Sequence, residues 1–421
     1  MSGTATTEGA GQATLGRVRQ WLDRLETPTT TYYLLVVVTA TLVAFGLVMV
    51  LSASSIESLS QSKTRSAFTI FTNQAMYAAI GLVVLLIARQ LSVTWWRRLA
   101  VPALIGACLL QGLVYTPLGV TVLGNRNWIR LGPMTMQPSE LIKFGLVLFG
   151  ALVMDLKQDR LNQIAHVLVP YVVPGAMVAV GLVLGGGDLG TAVVIAAVIA
   201  ATLWAAGIPA RWFLGAGAAF GAMALALVLT SAHRLSRFDV WLGRNTDPYG
   251  AARQPMQGRF ALADGGWFGL GLGQSREKWQ WLPEPHNDFI FAIIGEELGL
   301  PGTLMVLALF GLIAYACYRL VTRTADFFVR VATAAAMAWI VVQALVNIGA
   351  VIGLLPVIGV PLPLVSSGGS SLVTTMLVLG MLMSFARSEP GCAPALAARP
   401  SLLRRTVAVV PFRRSPSRGT R

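Results

Sequence analysis

The sequence predicts an all-α polytopic membrane protein, with about ten transmembrane helices in one bundle and one long extracytoplasmic loop. Three observations predict it. Of 421 residues, 55% are hydrophobic and only 12% are charged, whereas a soluble domain carries roughly 25% charged residues. Mean hydropathy is +0.68. Apolar runs of about 20 residues, the length that crosses a bilayer, recur along the chain.

The elements follow in order. Residues 1–31 begin polar and rich in Gly and Thr, which reads as disorder. Arg17, Arg19 and Arg24 then share a short stretch with Trp21 and Leu22, a composition suited to a cytoplasmic helix on the membrane surface. The first apolar run follows this polar leader and is long enough to stay as an anchor, so no cleavable signal peptide is expected. Spans are expected at about 33–52, 73–90, 99–116, 139–155, 166–185, 189–208, 212–231, 288–318, 331–352 and 368–386. They make residues 32–387 a single transmembrane core. An even count puts both termini on one side. Arg89, Arg97, Arg98, Lys157, Arg160, Arg211, Arg319, Arg323 and Arg330 border that side, which the positive-inside rule makes cytoplasmic. The tail 388–421 adds seven arginines against only Glu389 and reads as disordered and attracted to anionic lipid.

On the outer face, loops are short except at 117–138 and 232–287. The longer loop holds Arg234, Arg237, Arg244, Arg253, Arg259, Arg276 and Lys278, with Trp241, Trp267, Trp279 and Trp281. It is either a solvated loop or a site for an anionic headgroup beside lipid. Net charge is +14, but most of the bases flank spans, which argues against nucleic acid as a partner. Cys108, Cys317 and Cys392 show no metal spacing, and His166, His233 and His286 are scattered, so no metal centre is expected.

Ionisable groups within spans are costly and therefore informative. Glu140 and Lys143 lie three apart, just after a helix start at Gln137-Pro138-Ser139, and can pair on one face. Asp188 heads a span after three glycines. Asp288 stands where the polar stretch LPEPHN turns into an apolar helix, placing a carboxylate near a helix N-terminus. It reads as a cap or as a catalytic acid–base group. Glu296 and Glu297 follow two turns later, either as packing groups or as part of the same site. In Leu354–Leu372 the prolines 356, 361 and 363 break the helix at membrane depth. Irregular backbone there must line a cavity or be buried in protein. Ser366 and Ser367 open the SSGGSS run, a candidate anion site at a helix start.

Together these segments resemble the SEDS family, the glycan polymerases of the FtsW and RodA types. The matching stretches are Gly124–Ile129 (GNRNWI), Gln137–Phe144 (QPSELIKF), Asp188–Thr191 (DLGT), Gly265–Gly273 (GGWFGLGLG), Leu282–Gly299 (LPEPHNDFIFAIIGEELG) and Leu355–Leu372 (LPVIGVPLPLVSSGGSSL). They occur in family order across about 33–387. Asn127 stands where a second basic residue is expected, Gly187 where proline is frequent, and Ser367 where tyrosine is frequent.

The resemblance implies polymerisation of lipid II, the undecaprenyl-pyrophosphoryl disaccharide-pentapeptide, into peptidoglycan strands by inverting glycosyl transfer. It implies Asp288 as the catalytic base. Substrate would be bound by Lys143, Arg126, Glu140, Gln137, Arg276, Lys278, Glu296, Ser366 and Ser367. An Asp288–Lys143 pair is expected to keep the carboxylate ionised. No cofactor is required, and a divalent cation (Mg or Mn) on the substrate pyrophosphate is an optional addition. The implied partners are a class B penicillin-binding protein (a transpeptidase), other division proteins and membrane lipids. The wording around Asp288 and the basic tail are more FtsW-like than RodA-like, which implies the division septum of a bacterial plasma membrane. The alternatives are an elongation-type polymerase, a lipid II flippase, or a scaffold for division proteins.

Overall fold

A computed structural model describes residues 27–61, 66–122, 125–132, 134–161, 163, 166 and 168–398. The surface helix expected before residue 27 and the tail beyond 398 lie outside the described residues.

Helices α1 (Thr30–Gln61), α2 (Thr69–Ala88) and α3 (Val93–Gly112) lead to an antiparallel sheet, β1 (Gly119–Val122), β2 (Asn125–Leu131) and β3 (Met134–Met136), in the order β1-β2-β3. Next come α4 (Ser139–Leu156), α5 (Leu168–Gly185), α6 (Leu189–Ala205) and α7 (Ala210–Leu229). The long loop contains α8 (Ala232–Trp241) and α9 (Arg253–Gly265). The chain returns through α10 (Ile290–Arg323), α11 (Phe327–Val351), α12 (Gly369–Arg387) and the short α13 (Cys392–Ala397).

Eight of these helices are long and apolar enough to cross a membrane: α1, α2, α3, α5, α7, α10, α11 and α12. Two more lie in the same bundle. Helix α6 is apolar but only 17 residues long, and α4 carries Glu140, Lys143 and Asp155 in its 18 residues. Helices α11 and α12 are mostly buried, and no residue of α7 is. The α3–α4 contact is close because Gly145 faces it: a Cβ there would lie 2.8 Å from Leu104 Cα. Close backbone approach over small residues is how helices associate without help from water. In α5, Val169 and Val173 leave helical geometry because each precedes a proline. At the basic face, Arg97 ties three helices together, reaching Asp155 at 3.2 Å and Asp326 at 2.8 Å.

Three regions depart from the sequence expectation. The stretch 117–138 is a meander rather than a plain loop. In β2, Asn127 and Ile129 are buried while Arg126, Trp128 and Arg130 are not, the period-2 pattern of a half-buried strand. The loop 232–287 contains two helices. Helix α1 continues past residue 52 to Gln61, and the hydroxyl of Ser52 donates to both carboxylate oxygens of Glu297, at 2.6 and 2.8 Å.

Helix α10 is bent at Gly299 (φ 65°), just before Pro301. Proline has no N–H, so the carbonyl four residues earlier loses its helical donor. That carbonyl belongs to Glu297, and Gly271 N donates to it at 2.9 Å, while Leu270 N donates to Glu296 O at 2.9 Å. The loop thus repairs the ladder that the bend breaks. Gly269 lies so close that a Cβ would sit 2.3 Å from Glu297 O.

Candidate active site

Asp288 lies in the loop just before α10. Helix α10 begins at Ile290 and has no side-chain cap. The Asp288 carboxylate is therefore not spent on the helix end, which removes the cap reading. Its position is fixed through the main chain. Asn347 Nδ2 donates to Asp288 O at 2.8 Å, Ser366 Oγ donates to Asn287 O at 2.7 Å, and Ser367 N donates to His286 O at 2.9 Å. Residues 286–288 are thus stitched to α11 and to the start of the SSGGSS run. Ser366 and Ser367 serve here as backbone anchors of Asp288.

The carboxylate faces Arg237 of α8 across Gly359. A Cβ on Gly359 would lie 3.5 Å from Asp288 Oδ2 and 4.0 Å from Arg237 Nη1. Gly359 also has φ +71°, a geometry that a side chain would strain. Burial pushes the Asp288 carboxyl up to about 6; nearby Glu284 adds to the rise, and Arg237 opposes it. Arg237 Nη1 donates to Val357 O at 3.3 Å, and Arg234 Nη2 to Gly187 O at 2.9 Å. With Asp188, His233 and Ile358 these arginines line a cleft of about 180 Å³. Burial, reinforced by Arg237 and Arg234, lowers the His233 pKa and favours the neutral imidazole.

Asp188 is a true cap of α6. Its Oδ1 accepts from Thr191 N at 2.9 Å, and its Oδ2 accepts from Thr191 Oγ1 at 2.7 Å and from Gln137 Nε2 at 2.8 Å. Gln137 is thereby placed on the wall of this region. Lys143 is enclosed: Nζ donates to Glu140 Oε1 at 2.8 Å and to Gln343 Oε1 at 2.7 Å, and sits 4.8 Å from the centre of the Trp339 ring. The expected Asp288–Lys143 pair is not formed. Glu140 lies one turn before Lys143 on the same helix and takes the ammonium, and Arg237 is the cation that faces Asp288.

Arg126 is engaged elsewhere. Its Nη2 donates to Thr116 O at 2.7 Å and its backbone N to Gly186 O at 2.9 Å, bracing the sheet against the α5–α6 turn. Arg276, Lys278, Glu296 and Glu297 form a separate cluster. Glu296 accepts from Ser275 Oγ and Arg276 N, both at 2.6 Å. Lys278 Nζ donates to Gly273 O at 2.6 Å and lies 3.4 Å from Glu297 Oε1. The Arg276 side chain is exposed. In the same cluster, burial and the neighbouring Glu296 push Glu277 up to about 7.

Sequence reasoning did not single out Arg237 and Arg234 from the other loop bases, and it overlooked Gln343 and Asn347. The last two carried a signal, since amides four apart inside an apolar span are costly unless partnered. Among the described residues no group of three His, Cys, Asp or Glu is placed to hold a metal. The oxygens of Asp188, the carboxylate that lines the cleft, are already taken by Thr191 and Gln137.

A family model described as the cell cycle protein FtsW/RodA/SpoVE matches residues 32–390. The chain is 41% identical over 383 residues to a probable peptidoglycan glycosyltransferase FtsW of Mycobacterium tuberculosis, covering 91% of this chain and 72% of that protein. Its fold is similar to a chain of a peptidoglycan synthase complex that coordinates polymerization and crosslinking. There the TM-score is 0.68 and the identity 26%, with 84% of this chain and 96% of that one covered. It is also similar to the rod shape determining protein RodA of Thermus thermophilus, with TM-score 0.62 and 26% identity, covering 85% and 96% of the two chains.

Proposed function

This chain belongs to the FtsW/RodA/SpoVE family of cell cycle proteins, and from that premise we propose that it polymerises lipid II into peptidoglycan strands by inverting glycosyl transfer. The sugar 4-hydroxyl of one lipid-linked disaccharide attacks the anomeric carbon of the growing strand. A C–O bond forms there as the bond to the polyprenyl pyrophosphate breaks, and the hydroxyl proton passes to Asp288. The single observation that carries this reading is the Asp288 carboxylate, free of the helix end, facing Arg237, a residue that lines the cationic cleft, across Gly359. A general base raised toward neutrality is matched to its task. Arg237 and Arg234 would take the phosphates of the leaving group, where fixed positive charge is worth most. Lys143, enclosed by Glu140, Gln343 and Trp339, would support the site through space. A divalent ion would be held chiefly by the substrate's own phosphates beside Asp288.

The partner in this reading is a class B penicillin-binding protein, and the site of action is the division septum, with both termini cytoplasmic. The resemblance to an FtsW and to a synthase-complex chain supports both. The test is to purify the protein with its candidate transpeptidase and supply labelled lipid II to wild type and Asp288→Ala. A glycan ladder from wild type alone is the expected result. Ladders from both would return Asp288 to a structural role. Translocation of lipid II across vesicles without any ladder would make the protein a flippase.

A further inference from the structure

The mechanism above leaves the polar face of α11 unused. Trp339, Gln343 and Asn347 are spaced four apart, so they share one face of the helix. All three are buried. A buried amide in a span is expensive unless its groups are met. Here the partners are specific, and of the two amides' four polar groups only Asn347 Oδ1 is unmet. Gln343 Oε1 accepts from Lys143 Nζ at 2.7 Å and from Trp339 Nε1 at 2.8 Å, while its Nε2 donates to Pro361 O at 3.0 Å. Asn347 Nδ2 donates to Asp288 O and to Val360 O, both at 2.8 Å.

The two amides therefore do parallel work one turn apart. Each grips one of two consecutive carbonyls, Val360 and Pro361, in the proline-broken segment, which has no helical ladder to satisfy them. Each also grips one charged residue of the site from a different element: Lys143 on α4, and Asp288 ahead of α10. Helix α11 is among the most buried of the bundle, so it is a rigid support. Asn347 also lines the small cavity bordered by Asp288, Gly359 and Ile358.

We infer that Gln343 and Asn347 are positioning residues for glycosyl transfer. Asn347 fixes where the Asp288 carboxylate points, and Gln343 fixes where the Lys143 charge sits. The inference rests on the roles proposed above for Asp288 and Lys143. It goes beyond them by predicting separable kinetic signatures. Misplacing the base slows the chemical step. Shifting the Lys143 charge weakens its through-space support of the arginines that hold the phosphates.

The test uses the full protein with its transpeptidase and labelled lipid II, measuring kcat and KM together with thermal melting. Asn347→Leu is expected to lower kcat by about 10²-fold with KM little changed, the scale of a misplacement of about 1 Å. Gln343→Leu is expected to raise KM by about tenfold, the scale of one charge-assisted hydrogen bond. Should Asn347→Leu not fold, the smaller Asn347→Ser removes the amide that reaches Asp288 O without adding a charge, and is expected to show the same kcat loss. A kcat loss in both α11 variants that follows the fall in melting temperature, with KM unchanged in Gln343→Leu, would make them merely structural and overturn the inference. So would an inactive Asp288→Ala alongside Asn347 variants of wild-type kcat. An Asp288→Ala of full activity would instead overturn the role of Asp288 itself, and is distinguished by that single variant.

Discussion

Two carboxylate sites lie eight residues apart along one stretch of chain, and they are built in opposite ways. Around Glu296 and Glu297 the oxygens are met by Ser52, Ser275, the Arg276 amide and Lys278. Around Asp288 the main chain is tied to Asn347, while the carboxylate itself faces a glycine and an arginine beside a small cavity. The first arrangement spends its charge on holding a loop to a bent helix. The second holds the backbone so that the charge stays available. Both sites carry carboxylates; the difference lies in which atoms the surroundings satisfy, and that is what separates a candidate reacting group from a latch.

The sharpest way to break this comparison is to remove each charge in turn. Asp288→Asn is expected to lower polymerisation by about 10²–10⁴-fold, the typical loss for a general base. It is expected to leave melting unimpaired. The Asp288 pKa is raised in the fold to about 6, so the stabilising protonated form is lost as pH rises through 6, and above that the carboxylate is a net cost. Asn removes that cost. Loss of melting temperature in step with activity would erase the distinction. Glu297→Leu is expected to do the reverse. It strands the buried Lys278 ammonium, at a cost of about 3–5 kcal/mol in a denaturation experiment. The fraction that stays folded is expected to keep its kcat; a Glu297→Leu protein of wild-type stability but no activity would move Glu297 into the reacting site.

A smaller effect tests the pairing across Gly359. Because the Asp288 base is lost on protonation, the rate of the wild type is expected to fall about tenfold per pH unit below about 6. Arg237 opposes the rise of that pKa, so Arg237→Gln is expected to move the acid limb to higher pH, read from kcat/KM profiles of the two proteins. An unmoved limb would separate Arg237 from Asp288. The smallest effect belongs to Arg276→Ala. Its side chain is exposed and only its amide contacts Glu296, so activity and melting are expected to stay within about twofold and a few tenths of a kcal/mol.

Much of this was legible in the sequence, for physical reasons. Long apolar runs fix where helices lie, and the start of α4 at Ser139 follows from Pro138. Asp288 stood out because a carboxylate at the edge of an apolar run is costly. The partner of Asp288 was not legible. Seven bases in one loop offer equal charge, and only the packing of α8 selects Arg234 and Arg237, three apart on one helix face. The Lys143–Glu140 pair was readable from its spacing; that the same pairing withdraws Lys143 from Asp288 was not, since it depends on Gln343 arriving from α11. The β2 strand was readable from the alternation in NRNWIRL. The docking of the glycine-rich loop on α10 needed the bend at Gly299 to be known first.

Helix α7, which buries none of its residues, carries a consequence for how the site is charged. Helix α8 hangs from it and likewise buries none, yet it bears both arginines of the cleft. Those arginines are fastened by hydrogen bonds to the carbonyls of Gly187, Leu227 and Val357, not by core packing. The carboxylate is therefore tied to buried helices, and its counter-charge to an element without a buried residue, the kind that opens more readily than a packed core. The positive charge of the cleft thus rests on three main-chain acceptors, Gly187, Leu227 and Val357, while the base is held separately by α11.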